Sequence, residues 1–139
     1  VNFASILKTA VGGRKLIRAI AYVIKADVKE EKNFFDALEA IGYEVRAKDL
    51  QTFAGGSKKG DWDIGIAMDT IELAPKLDTI VIVSGDGDFE NLVLHLKHAI
   101  GCRVEAIAFG RSCSSKLRGV VDNFIDLDND KRRYLRART

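Results

Sequence analysis

A chain of 139 residues, 47% of them apolar and 30% charged, is long enough to enclose one hydrophobic core and too short for two ordinary domains. Its formal net charge of +2 is ordinary for a soluble domain and by itself names no partner. The longest apolar runs fall short of the roughly 18 residues of a membrane helix. No cleavable leader pattern opens the chain, and Cys102 and Cys113 lack the spacing of a disulfide framework or a zinc knuckle. A cytoplasmic protein without a membrane role is the expectation.

In chain order, Phe3 to Val11 reads as a helix with Asn2 near its cap and Gly12-Gly13 as its exit. A preceding strand, central in a doubly wound sheet, is expected ahead of Val1, with its carboxyl end beside Asn2. Residues 18 to 26 form a largely buried strand. Glu31 to Ile41 follows a helical rhythm through Phe34, Leu38 and Ile41 and stops at Gly42. Tyr43 to Arg46 is a second strand, and Lys48 to Gly60, polar and holding Gly55-Gly56, reads as an exposed, mobile loop.

Helical periodicity resumes from Trp62 to Leu73, with Asp61 available as cap and Pro75 as stop. Thr79 to Val83 is the clearest strand, apolar throughout rather than alternating, as in a parallel strand covered on both faces. Phe89 to Ile100 is a helix closed by Gly101, Val104 to Phe109 a strand, Ser114 to Val121 a short helix and Phe124 to Leu127 a last strand. Strands alternating with helices imply right-handed crossovers and a three-layer α/β/α sandwich with a mostly parallel central sheet.

Open parallel sheets gather ligands beyond the carboxyl ends of their strands. Ser84-Gly85-Asp86-Gly87-Asp88-Phe89 lies at such an end. A helix-capping role for one aspartate accounts for part of this pattern, but a second carboxylate needs a further reason. Another acidic set, Asp61, Asp63 and Asp69, borders the Trp62 helix. Asp63 sits in its first turn, and Asp69 lies about 9 Å farther along the axis and about 120° around it, so the two are not presumed ligands of one ion. For Asp61, capping is preferred. Carboxylates collected at a strand end suit Mg²⁺ or Mn²⁺, and a water positioned by Asp86 could attack a phosphodiester. Lys58 and Lys59 could attract its phosphates, or simply solvate the loop.

Other candidates are weaker. His95 and His98 are three apart without a zinc signature, Cys113 has no general-base partner, and Cys102 reads as a core thiol. Trp62 could cover the core or stack a base, and one Trp is no RNA platform.

Two segments, Lys59-Gly60-Asp61-Trp62-Asp63-Ile64-Gly65-Ile66-Ala67-Met68-Asp69 and Ser84-Gly85-Asp86-Gly87-Asp88-Phe89, resemble the NYN family, the LabA-like or DUF88 branch of the PIN-like nucleases. The resemblance extends to about Asp128, which marks residues 1–128 as an NYN/PIN-like domain and 129–139 as a basic tail. In that family the first strand ends in Asp-x-x-Asn. Val1-Asn2-Phe3 is similar to its remainder, the Asp being expected before Val1. The resemblance implies a PIN-like fold and metal-dependent hydrolysis of RNA. Asp63 and Asp86 would position the metal, with Asp61 a competing assignment for Asp63 because one extra residue follows Gly60, and Asp88 and Asp69 would bind it or orient its waters. Asn2 and Ser84 would support the site, and Lys58 and Lys59 would bind phosphate. A noncatalytic nucleic-acid-binding or regulatory domain, and a phosphatase of small metabolites, are the alternative readings. An exposed edge strand could pair two copies into a homodimer.

Overall fold

The computed structural model describes residues 1–25, 31–49, 51–52, 58–59 and 62–135. The chain divides into two compact units, one built from Val1–Gly12 with Asp63–Thr139 and the other from Gly13–Trp62.

In the smaller unit, β1 (Ile20–Lys25) and β2 (Glu44–Asp49) flank α2 (Glu31–Ile41) and pair in parallel, with Ile20 opposite Glu44 and Lys25 opposite Asp49. A parallel pair cannot be joined by a tight hairpin, so the helix serves as the crossover. Gly42 ends α2 at φ 124°, and the amides of Gly42 and Tyr43 both donate to the Leu38 carbonyl. Leu38 is the buried residue of α2. Arg18 clamps Glu44 with two hydrogen bonds of 2.8 and 2.7 Å. Trp62 has a packing role: its indole N–H donates to the Val23 carbonyl at 2.8 Å, its ring centroid lies 5.3 Å from that of Tyr22, and the Lys48 ammonium sits 4.8 Å above the ring.

The polar stretch from Lys48, read as a loop, is described only at residues 48–49, 51–52 and 58–59, and those residues are strands. β2 runs on through Asp49 because β1 offers backbone partners as far as Lys25. Two short strands, β3 (Gln51–Thr52) and β4 (Lys58–Lys59), then pair antiparallel. A ladder satisfies backbone groups whatever the side chains, which is why a loop composition did not announce it.

The larger unit carries α1 (Phe3–Val11), α3 (Asp63–Leu73), β5 (Thr79–Ile82), α4 (Glu90–His95), β6 (Arg103–Ala108), α5 (Ser115–Val120), β7 (Asn123–Asp126) and α6 (Lys131–Tyr134). β5, β6 and β7 form one parallel sheet in that order. Successive residues of a strand point to opposite faces, and the two cores follow that alternation. Ile80, Ile82 and Val104 join Phe89, Leu92, Val93 and Leu96 of the α4 region and Leu117 of α5 on one face. Val81, Ile107 and Ile125 meet Ile6 and Ala10 of α1 with Leu127 and Tyr134 on the other. This unit is therefore a helix–sheet–helix sandwich, and the mixed α/β fold with mostly parallel strands is the one the sequence led us to expect.

Two details depart from the sequence reading. The helix expected over Phe89 to Ile100 begins as a 3₁₀ turn at Gly87–Phe89 and ends as a π-helical turn at Leu96–Ile100. There the amides of Gly101 and Cys102 both reach back to the Leu96 carbonyl at 3.0 Å, with Gly101 at φ 90°. Beyond β7 the chain folds onto α1: Tyr134 is buried, its hydroxyl is 2.8 Å from Thr9 Oγ1, and its carbonyl accepts from the Asn2 amide. Among the described residues, no helix is long and apolar enough to cross a membrane.

Candidate metal centre

The acidic turn at the carboxyl end of β5 is held by its own side chains. Ser84 Oγ accepts from the Asp86 amide at 3.1 Å, and Asp86 Oδ1 accepts from the Asp88 amide at 2.9 Å. Asp86 thus caps the 3₁₀ turn Gly87–Phe89, and the buried ring of Phe89 anchors that turn in the core. The capping alternative is correct for one oxygen of Asp86. It leaves the other oxygen, and both oxygens of Asp88, for different work.

Asp63, half-buried in the first turn of α3, completes the arrangement. Asp63, Asp86 and Asp88 each bring a carboxylate oxygen to within 4.8 Å of the others. Opposite ligands of a Mg²⁺ octahedron are about 4.2 Å apart, given metal–oxygen bonds near 2.1 Å. Three oxygens on one ion include at most one opposite pair, and adjacent ligands stand about 3 Å apart, so the carboxylates would draw together around a bound ion. The donor set is all carboxylate, with no histidine or cysteine, as hard divalent cations require. Among the described residues, the ion pairs are formed by other carboxylates than Asp86 and Asp88. The residues fit a divalent cation.

The remaining candidates fall elsewhere. Asp69 lies farther along α3, half-buried and outside the three-carboxylate group. Asn2 caps α1, its Oδ1 accepting from the Ser5 amide at 3.1 Å. Asp61 and the side chains of Lys58 and Lys59 lie outside the described residues. His95 and His98 are exposed and belong to no ligand group among the described residues. Cys102 is buried and its thiol donates to the Ala74 carbonyl at 3.3 Å. Burial pushes the Cys113 thiol up, away from the thiolate a nucleophile needs.

The sequence singled out Cys113 and its loop for phosphate binding or nucleophilic chemistry, and the structure gives that loop a different place. The loop Phe109–Ser114, beyond β6, buttresses the acidic turn. The Ser114 amide donates to the Gly85 carbonyl at 2.9 Å, and a Cβ on Gly85 would lie 2.9 Å from Cys113 Cα. A Cβ on Gly87 would lie 2.6 Å from Ser114 Oγ. Behind the loop, Asp126 at the end of β7 accepts from the Gly110 and Asp128 amides at 2.8 Å each. The Gly110 and Asp128 amides hold the Asp126 carboxyl below its usual range. The glycines at 85, 87 and 110 were a visible signal of close approach, but the approaching segment lies far away in sequence.

With this geometry in view, comparison with known proteins is informative. The NYN domain family matches residues 1–128. The low amplitude and bright protein LabA of Synechococcus elongatus is 32% identical over 127 residues, covering 87% of this chain and 67% of LabA. Among solved structures, VPA0982 of Vibrio parahaemolyticus superposes with a TM-score of 0.85 at 35% identity, covering 91% of this chain and 78% of that one. The chain, with its carboxylate triad at the end of β5, belongs to the NYN domain family and is LabA-like.

Proposed function

We propose that this protein is a divalent-metal-dependent ribonuclease that hydrolyses RNA phosphodiester bonds, with Mg²⁺ or Mn²⁺ held by Asp63, Asp86 and Asp88. The observation that carries this reading is the convergence of those three carboxylates within 4.8 Å at a strand end. A cation bound there supplies positive charge that acidifies a water and offsets charge gathering on the phosphate oxygens. Asp86, its Oδ1 engaged with the Asp88 amide, presents its second oxygen as a ligand from a fixed turn. Asp88, exposed, orients the attacking water and accepts its proton. The water oxygen bonds to phosphorus as the bond from phosphorus to the leaving ribose oxygen breaks. Ser84 steadies Asp86 through its amide.

Asp69 is assigned to water orientation farther along α3, Asn2 to a supporting hydrogen bond through its amide nitrogen, and Lys58 and Lys59 to phosphate attraction. Residues 1–128 would form the domain and 129–139 a basic extension. A homodimer would pair through an exposed edge strand.

A second reading, nucleic-acid binding without hydrolysis, draws support from the exposed cations Lys131, Arg132 and Arg133 of α6. One experiment separates the readings: full-length protein with structured and single-stranded RNA and with small phosphoesters, in Mg²⁺, Mn²⁺ or chelator. The ribonuclease reading expects RNA cleavage that chelator stops and Asp86→Asn reduces by at least 100-fold. Cleavage indifferent to both would refute it. Binding without cleavage, unaffected by Asp86→Asn, favours the second reading, and turnover of small phosphoesters alone favours a phosphatase.

A further inference from the structure

The loop that buttresses the acidic turn does more than close the fold. We infer that Ser114 is a positioning residue of the metal centre, setting where Asp86 and Asp88 stand and hence how tightly a divalent cation is held. This inference rests on the proposed metal site but not on catalysis.

Asp86 and Asp88 belong to a turn whose two glycines leave no room for side chains. On one, a Cβ would collide with the Cys113 backbone, and on the other with Ser114 Oγ. The turn is thus seated directly against Cys113 and Ser114, and the Ser114 amide ties it there through the Gly85 carbonyl at 2.9 Å. Ser114 is fixed from its far side as well. Its Oγ accepts from the Lys116 amide at 3.2 Å and caps α5, while Leu117 of α5 is fully buried in the core. The loop leading to Ser114 is pinned by Asp126 through Gly110, and the Cys113 amide donates to the Gly110 carbonyl at 3.2 Å.

Each segment in this series has a rigid anchor, so a displacement at Ser114 reaches the turn rather than being absorbed by the loop. Asp63, on α3, sits outside the series. Movement of the turn therefore changes the distances from Asp86 and Asp88 to Asp63, which is the quantity a small octahedral ion senses most. Groups that orient ligands from behind typically alter metal affinity by about 10–100-fold.

The test must part positioning from simple capping, because Ser114 also caps α5. Asn is as good an N-cap as Ser, so Ser114→Asn keeps the cap and changes the surface against Gly87. Gly87→Ala perturbs the same contact from the turn. Two quantities are read in the full chain: Mn²⁺ affinity by titration, and exchange of the Asp88 amide in metal-free protein by NMR. For both variants we expect Mn²⁺ affinity at least 10-fold weaker and faster Asp88 amide exchange, with the thermal midpoint of Ser114→Asn unchanged. Wild-type affinity and exchange in both variants would overturn the inference. A loss of affinity that only follows a lowered midpoint would also overturn it, since that is the behaviour of a cap. If the wild-type chain takes up no Mn²⁺, the metal-centre reading fails and the inference with it, and Asp88 exchange that still responds to both variants then shows Ser114 setting the turn alone.

Discussion

Replacing Asp88 by Asn isolates the electrostatics of the carboxylate group. Asp88 is the simpler probe of charge, because Asp86 Oδ1 also receives the Asp88 amide. The three oxygens lie within 4.8 Å of one another, and unit charges at that distance repel by about 0.9 kcal/mol in bulk water and about 3.5 kcal/mol at an effective dielectric constant of 20. Asp86 and Asp88 are exposed, which places their repulsion near the lower figure, and salt reduces it further. Asp86 and Asp88 stay two residues apart in the unfolded chain, so removing one charge relieves chiefly the repulsion with Asp63, and metal-free Asp88→Asn should be more stable by about 1 kcal/mol at low ionic strength. For a chain of this length that raises the melting midpoint by roughly 3 °C. In Mn²⁺ the order should reverse, since wild type at a hundred times its dissociation constant gains about 2.7 kcal/mol while the variant has lost a ligand. Scanning calorimetry at 10 mM and 200 mM salt, with and without Mn²⁺, reads both effects. A metal-free variant no more stable than wild type at low salt would show that the carboxylates do not repel in the folded chain, and an equal Mn²⁺-induced rise in both proteins would show that Asp88 holds no metal.

The rest of the larger unit offers two further checks. Asp122 accepts from the Val104 amide at 2.8 Å and pairs with Lys97 at 3.3 Å. The Val104 N–H, aided by Lys97, holds its carboxyl below the usual value of 3.8. A carboxyl depressed in the folded state contributes stability above its unfolded pKa and loses it as pH falls through the folded value. Urea midpoints from pH 7 to pH 2 should therefore fall more steeply for wild type than for Asp122→Asn, and parallel acid limbs would show that this bond carries nothing. Leu117 is fully buried between α4, α5 and the sheet, so Leu117→Ala should cost about 2–5 kcal/mol in urea unfolding, against a surface substitution's few tenths.

Much of this protein is legible residue by residue. α1 and α2 span the residues that their apolar spacing marks out, because amphipathic periodicity and glycine stops act within a few residues of themselves. β5 is equally plain, since a short β-branched apolar run has few other places to go. The two acidic segments also identify the family and single out Asp63, Asp86 and Asp88 as residues of interest. Tertiary structure decided what local pattern could not. It brought Asp63 on α3 to the turn beyond β5 while Asp69 stayed outside the group. It extended β2 along β1 into a polar stretch, and it turned residues after β7 back onto α1 through Tyr134. It also seated the turn on Cys113 and Ser114. Each of these depends on backbone and side-chain contacts between segments far apart in the chain, whose formation is governed by shared burial and hydrogen-bond satisfaction. A local sequence pattern can declare that a glycine has no room for a Cβ, but only the folded chain supplies the neighbour that fills the space.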